Sequence, residues 1–151
     1  YQPRIPQNTG NIARTCAAFK YTLDLICPLG FSLEDKYLKR AGLDYWQYLD
    51  INIHENIERY FETVGHYRVI GFSKKSKKTL LDLSFKSNDI LLFGREDTGL
   101  PIDVMNKCSS INRIEMPGAA DKNNSNGVRS LNLSVACGIV AYQAYIQVKQ
   151  E

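Results

Sequence analysis

Residues 93–101 read Phe-Gly-Arg-Glu-Asp-Thr-Gly-Leu-Pro, and this stretch decides how the rest of the chain is interpreted. It follows the mostly apolar segment Asp89–Phe93, which predicts a buried strand. Pro101 opens a segment that predicts a helix. Gly94 and Gly99 therefore bracket a turn at the carboxyl end of a strand, where open α/β sheets bind ligands. Because glycine has no Cβ, the backbone can approach a ligand closely there. The stretch predicts either a small-ligand loop or a purely structural tight turn.

The same turn argues against a nucleoside-triphosphate site. Its glycines have the spacing Gly-x-x-x-x-Gly of a phosphate-binding loop. Leu100 and Pro101 stand where that loop needs Lys followed by Ser or Thr. We therefore expect a different small ligand, held by backbone groups.

Segments that favour strands alternate with segments that favour helices. The pattern predicts a first helix capped by Asn8 or Thr9, further helices beginning after Ser32, at Glu55, at Pro101 and at Leu131, and strands at 22–27, 48–53, 67–72, 89–93 and 112–116. Such alternation is typical of the α/β class. It predicts a mostly parallel sheet with helices on both faces.

Length and composition indicate one globular domain spanning residues 1–151. The chain is 44% hydrophobic and 23% charged, with no apolar run that could span a bilayer and no signal-peptide pattern. We therefore expect a cytoplasmic protein with no membrane contact. The net charge of +3 permits nucleic-acid binding but does not require it.

The four cysteines are scattered through the sequence. Cys16, Cys27, Cys108 and Cys137 form no Cys-x-x-Cys pair and have no histidine near them in sequence. This pattern predicts reduced thiols, with neither a disulfide framework nor a metal site.

Three polar segments each lead into a helix: Pro6–Arg14, the glycine turn at 94–99, and Val128–Ser134. The first backbone N–H groups of a helix have no partner within the helix, so such segments are suited to binding ligands. The third segment contains Ser130, which is most simply the N-cap of the closing helix.

Two arginines and a tyrosine near these segments are candidate functional residues. Arg14 lies opposite the apolar face of its own helix, and Arg129 precedes a helix, where a cation gains nothing from the helix dipole. For Arg14 a solvated side chain is the simplest interpretation, whereas the position of Arg129 suggests a bound anion or a carboxylate partner. Tyr142 falls near an apolar stripe of the closing helix and is more often a core or interface aromatic than a catalyst.

Two basic stretches could contact RNA. The run Lys74-Lys75-Ser-Lys-Lys follows a predicted strand, and Lys36 and Arg40 precede the aromatic Tyr45. Cations beside aromatic rings suit the binding of phosphates and stacked bases, although a solvated surface has the same composition.

Taken together, these segments resemble the SPOUT class of S-adenosylmethionine-dependent RNA 2′-O-methyltransferases. The resemblance is greatest to its small single-domain branch, the tRNA (cytidine/uridine-2′-O)-methyltransferases that modify the wobble nucleotide. It covers almost the whole chain, and it rests on 8–14, 35–45, 93–101, 129–134 and Tyr142.

The resemblance implies a carboxyl-terminal trefoil knot, an obligate homodimer, a tRNA substrate and S-adenosylmethionine bound in the knot loops. A knot is not what the general rules of chain topology suggest. Carried over by position, the cofactor pocket comprises Phe72, Gly94, Gly99, Met116, Ser130 and Leu131. The catalytic and RNA-facing residues comprise Arg14, Arg129 and Tyr142.

One segment departs from the family pattern. Residues 118–127 form a longer, asparagine-rich loop than the family has there, beside the expected cofactor site. Two other functions stay open from the sequence. One is a SPOUT methyltransferase acting on ribosomal RNA or another tRNA site, and the other is a non-catalytic RNA-binding module of the same fold.

Overall fold

The computed structural model describes residues 1–33, 48–119 and 126–149. Within these ranges helices and strands alternate, which confirms the predicted α/β class. The elements are α1 (Pro6–Phe19), β1 (Leu23–Ile26), β2 (Ile51–His54), α2 (Ile57–Val64), β3 (Val69–Phe72), β4 (Ile90–Phe93), α3 (Ile102–Lys107), β5 (Ser110–Asn112) and α4 (Leu133–Lys149).

The strands pair in parallel, as predicted. β1 pairs with β2, and β3 lies between β4 and β5 in a second sheet. Phe72 is in register with both Phe93 and Asn112, so β3, β4 and β5 end level at one edge. The first residues lie between the two sheets, because the Tyr1 nitrogen donates to the Phe93 carbonyl (2.8 Å) and the Gln2 N–H to that of Ile26 (2.9 Å).

Helices cover both faces of the sheet formed by β3, β4 and β5. Because side chains alternate along a strand, β3 presents Val69 to one face and Ile70 to the other. Val69 packs in a cluster with Tyr60 of α2 and Val104 of α3, whereas Ile70 packs in a cluster with Val140 of α4. All five side chains are at most 2% exposed. Burying each one contributes roughly 1.5–3 kcal/mol.

The connection between β3 and β4 is held against α4 by one side chain. Gln147 accepts a hydrogen bond from the Phe85 N–H (2.8 Å) and donates one to the Leu83 carbonyl (3.2 Å). Since both backbone groups lie outside the strands, Gln147 satisfies hydrogen bonds that a sheet would otherwise provide.

The predicted start of α1 was wrong. The helix begins at Pro6 with Ile5 as its N-cap, so Asn8 and Thr9 lie inside the helix and are buried. The physical reason is that proline suits the first turn of a helix, where its missing N–H has no partner to lose.

Two strands lie a few residues from their predicted positions. β2 is Ile51–His54 instead of 48–53, and β5 is Ser110–Asn112 instead of 112–116. β5 ends early because its partner β3 ends at Phe72, opposite Asn112, and the next residue, Arg113, pairs instead with Thr79 in an isolated bridge.

Some predictions fall outside the described residues. These are the helix after Ser32 and the RNA-binding assignments of Lys36, Arg40 and Tyr45. The trefoil knot stays a prediction. In the described ranges no helix is long and apolar enough to cross a bilayer.

Candidate active site

The carboxyl ends of β3 and β4 bring two predicted pocket residues together. Phe72 ends β3, and its ring stacks on that of Phe93 with centroids 4.9 Å apart and planes 17° apart. Gly94 follows directly. Both rings are partly exposed, so the edge of the sheet carries a flat apolar surface next to the glycine turn.

The glycine turn is closed on itself. The Arg95 and Gly99 backbones exchange hydrogen bonds of 3.3 and 2.9 Å. A Cβ on Gly94 would lie 2.2 Å from the Gly99 carbonyl carbon. Gly94 is therefore required because the backbone of Gly99 packs directly against it. Gly99 has a φ of +72°, which favours glycine, yet a Cβ there would meet no described atom within 4 Å. The turn therefore has structural reasons for both glycines and open space beside the second.

An ion pair stabilises the outside of this turn. Arg95 donates two hydrogen bonds to Asp97, of 2.9 and 2.6 Å. These bonds lower the pKa of Asp97 well below its usual range. Arg95 is therefore paired with Asp97 within the turn itself.

Glu96, at the centre of the turn, caps α1 from a distance. Its carboxylate accepts hydrogen bonds from the Arg4 N–H (2.8 Å), the Ile5 N–H (3.1 Å) and the Asn8 side chain (3.2 Å). A negative charge at this position satisfies unpaired N–H groups and interacts favourably with the helix dipole. Glu96 thus performs the capping that the sequence analysis assigned to Asn8 or Thr9.

Asn8 connects this cap to the third polar segment. Its side-chain oxygen accepts a hydrogen bond from the Asn132 amide (2.9 Å), and the Asn132 oxygen accepts one from the Ser134 N–H (2.9 Å). Asn132 is therefore the N-cap of α4, and the assignment of that role to Ser130 was wrong. The helix begins two residues later than the cap prediction required.

The direction of this network is determined at both ends. At α4 a backbone N–H can only donate, so the Asn132 oxygen faces it. At α1 a carboxylate can only accept, so the Asn8 amide nitrogen faces Glu96. One continuous chain of hydrogen bonds thus joins the three segments that the sequence singled out. The sequence signalled only that each of the three segments carries polar side chains beside a helix N-terminus, and not which of those side chains bond to one another.

The candidate arginines lie near these segments. Arg14 is exposed on α1, as its position opposite the apolar face predicted. Arg129 is exposed as well, and its carbonyl accepts a hydrogen bond from the Lys74 ammonium (3.1 Å). This contact places the loop after β3 beside the third segment.

The other predicted pocket residues lie in the chain after β5 and just before α4. Met116 follows β5 in a turn closed by the Ala119 N–H (2.9 Å), and it is partly exposed. Ser130 is exposed and Leu131 is partly exposed, and both immediately precede Asn132. Their roles in binding a cofactor stay predictions.

Tyr142 lies apart from the network. It is nine residues beyond Leu133, or about 14 Å along α4. Its ring contacts that of Phe19 with centroids 5.9 Å apart. The structure does not bring Tyr142 to the glycine turn.

Tyr142 instead belongs to an exposed apolar stripe on α4. Val135, Ile139 and Tyr142 are 50%, 40% and 54% exposed, while Val140 and Ala144 on the opposite side are buried. A helix with apolar residues on both sides is suited to packing against a partner as well as against its own core.

One buried polar atom lies in the first segment without a partner. The Thr9 hydroxyl, on a residue 1% exposed, makes no hydrogen bond within the described part of the chain. An unpaired buried hydroxyl costs about 1–3 kcal/mol, so it is unusual in a purely structural position.

Known proteins are similar to this chain in sequence and in fold. The tRNA (cytidine(34)-2′-O)-methyltransferase of Methylovorus glucosotrophus is 41% identical over 147 residues, covering 97% of this chain and 92% of its own. A structure solved to study 2′-OH methylation of C/U34 on tRNA superposes with a TM-score of 0.90 at 45% identity, covering 100% of this chain and 94% of that one. An rRNA methyltransferase from Sinorhizobium meliloti with AdoMet bound superposes at 0.80 with 26% identity, covering 95% of this chain and 52% of its own.

The family model of the SpoU rRNA methylases matches residues 1–142. That range includes all three polar segments and the hydrogen-bond network that joins them. The chain belongs to the SpoU rRNA methylase family.

Proposed function

We propose that the protein transfers a methyl group from S-adenosylmethionine to the ribose 2′-hydroxyl of nucleotide 34, the wobble cytidine or uridine, of tRNA. The observation that carries this proposal is the network from Glu96 through Asn8 to Asn132, in a chain 41% identical to a cytidine-34 methyltransferase. Identity to the rRNA methyltransferase is only 26%, which favours tRNA over rRNA as the substrate. Such a substrate implies a cytoplasmic location.

The residues at the sheet edge fit S-adenosylmethionine. The cofactor has a flat adenine, which suits the exposed parts of the Phe72 and Phe93 rings, and the space beside Gly99 is free of described atoms. Apolar and polar groups from Met116, Ser130 and Leu131 complete the set that would hold it. When bound, the cofactor supplies a methyl group on a sulfonium, which is an excellent leaving group.

With so reactive a methyl donor, the protein's task is mainly to align the ribose and to help remove the proton that the 2′-hydroxyl loses. Arg14 projects from α1, and the start of this helix is bonded to the glycine turn through Glu96. The helix that carries Arg14 and the glycine turn are therefore held at a defined distance from each other. A protonated guanidinium is a poor base but a good planar donor to phosphate or ribose oxygens. We assign Arg14 to positioning the ribose and Arg129 to binding a neighbouring phosphate.

The exposed stripe on α4 supports a homodimer. Val135, Ile139 and Tyr142 would be covered by the same surface of a second copy in a symmetric interface. In that dimer Tyr142 leaves solvent and lies against the partner. We expect sedimentation to show a dimer at micromolar concentration and Ile139→Glu to give a monomer. A monomeric parent protein with full activity would contradict this proposal.

The experiment that tests the function combines cofactor binding with turnover. Calorimetry should show S-adenosylmethionine binding, and tRNA lacking the modification should be methylated at position 34 only. Arg14→Ala should bind the cofactor as the parent does but react about a hundredfold more slowly, because a charged hydrogen bond in the transition state contributes about 3 kcal/mol. Arg14→Lys should restore little activity, because a point charge cannot replace the planar fork.

Each other outcome has a definite meaning. Methylation of rRNA instead of tRNA would support the first alternative. RNA binding without cofactor binding would support a non-catalytic module. Near-normal turnover by Arg14→Ala would show that Arg14 is a solvated surface residue.

A further inference from the structure

The loop after β3 concentrates positive charge beside the candidate site. Residues 73–79, here the lysine loop, contain Lys74, Lys75, Lys77 and Lys78. All four side chains are exposed. The loop starts at the carboxyl end of the central strand, and it touches the Arg129 segment through Lys74.

The backbone of the lysine loop is held firmly against β5 and the residue after it. The Ser73 N–H donates to the Asn112 carbonyl (3.0 Å), and the Ser76 hydroxyl donates to that of Ile111 (2.6 Å). The Arg113 N–H then donates to the Lys78 carbonyl (2.9 Å). Because both ends and the middle are bonded, the lysines project from a defined backbone and not from a loose chain.

These lysine charges have no compensating carboxylate in the described part of the chain. None of the ion pairs among the described residues includes any of the four. The nearby Asp82 is occupied by the Thr79 N–H (3.0 Å) and hydroxyl (2.8 Å). Four like charges within five residues repel one another, so the arrangement is best suited to a polyanion that spans several of them.

We propose that the lysine loop binds the phosphate backbone of the RNA substrate and guides it towards the site. This inference rests on the proposed function for its choice of RNA as the polyanion. Lys74 donates one N–H to the Arg129 carbonyl and retains two for a phosphate, so it lies where the guided strand meets the candidate site. Phosphate contacts carry no base information, so the loop supplies affinity and position, and the nucleotide is selected elsewhere.

The test compares two double substitutions that remove the same charge. Lys77→Gln with Lys78→Gln alters the lysine loop. Lys86→Gln with Lys107→Gln is the control, because these exposed residues precede β4 and β5 and therefore lie at the opposite, amino-terminal edge of the sheet. RNA affinity would be measured by fluorescence anisotropy with an unmodified tRNA transcript and with an unrelated RNA hairpin, from 50 to 200 mM salt.

We expect the loop variant to lose about 1.4–1.8 from the slope of log affinity against log salt, since each phosphate contact contributes about 0.7–0.9. Over this fourfold range of salt, the ratio of the parent's RNA affinity to the variant's RNA affinity then falls roughly tenfold. The effect should be the same for both RNAs. The control should retain the parental slope and turnover, and both variants should bind S-adenosylmethionine as the parent does.

The outcomes separate this inference from the function on which it rests. An unchanged slope in the loop variant, or an equal loss in the control, would overturn phosphate binding by the lysine loop while leaving the proposed tRNA methylation intact. A loss confined to the loop variant in a protein that fails to methylate tRNA would support phosphate binding by the lysine loop and contradict the proposed function. No RNA binding by the parent protein would overturn both.

Discussion

Replacing Glu96 by glutamine tests whether the glycine turn and the helix entry are one structural unit. The carboxylate accepts from Arg4 and Ile5 backbone N–H groups and from the Asn8 side chain. Glutamine has nearly the same shape but replaces one acceptor oxygen by an NH₂ donor. The change therefore leaves packing intact and alters only the charge and the hydrogen bonds.

The magnitude follows from which bond is lost. If the glutamine oxygen occupies the position that serves Ile5 and Asn8, its NH₂ faces the Arg4 N–H at a site where the parent distance is 2.8 Å. One hydrogen bond to a charged acceptor is lost, worth about 1.5–3 kcal/mol. The favourable interaction with the helix dipole, about 0.3–1 kcal/mol, is lost too. We expect a loss of about 3 kcal/mol in unfolding free energy, or roughly 6–12 °C in Tm.

Asn8 cannot relieve this by turning its amide over, because its oxygen is held by Asn132. A double-mutant cycle with Asn132→Ala should therefore show non-additivity of at least about 0.5 kcal/mol.

The assay is urea unfolding followed by circular dichroism, with Glu62→Gln as the control. Glu62 makes an exposed ion pair with Arg59 at 2.9 Å, with side chains 63% and 68% exposed, so the same substitution there should change stability by under about 0.5 kcal/mol. If Glu96→Gln were no more destabilising than this control, the network would not hold the turn to the helix, and the reasoning would be refuted.

Three further predictions concern single residues. Thr9→Val should leave stability equal or raise it by about 1 kcal/mol, because it removes an unpaired buried hydroxyl; a clear loss of stability would show that the hydroxyl has a partner. Gly99→Ala should cost about 1–2 kcal/mol for its φ of +72°, and Gly94→Ala should cost more, since its Cβ would lie 2.2 Å from backbone; the reverse order would contradict the packing of the Gly99 backbone against Gly94. Burial, with the Asp24 charge adding, raises the pKa of the Cys16 thiol from 9.0 to about 11, so the unfolded state releases its proton first. The free energy of unfolding should fall between pH 9 and 11 by on the order of 1 kcal/mol per pH unit, and by less in Cys16→Ala. Urea midpoints that change equally with pH in the parent and in Cys16→Ala would contradict this role of the Cys16 thiol.

The sequence alone predicted the order of the elements and the parallel, two-faced sheet. Asp89–Phe93 and the helix after Pro101 were placed to within a residue or two, because apolar runs, proline and glycine act over a few neighbouring positions. The same local signals singled out the glycine turn and the two other polar segments. The assignment of individual residues to the cofactor pocket and to catalysis came instead from the resemblance, and it stays a prediction.

What the tertiary structure alone decided is how those segments are connected. The cap of α1 comes from Glu96, 88 positions from Asn8 in the chain, and Asn132 reaches Asn8 across 124 positions. From the sequence, Asn8, Thr9 and Ser130 were the obvious local caps, and all three were wrong. A pattern of neighbouring residues reports helix and strand preferences, because those depend on nearby backbone geometry. A hydrogen bond between distant loops exists only after the sheet has brought the carboxyl ends of its strands to one edge.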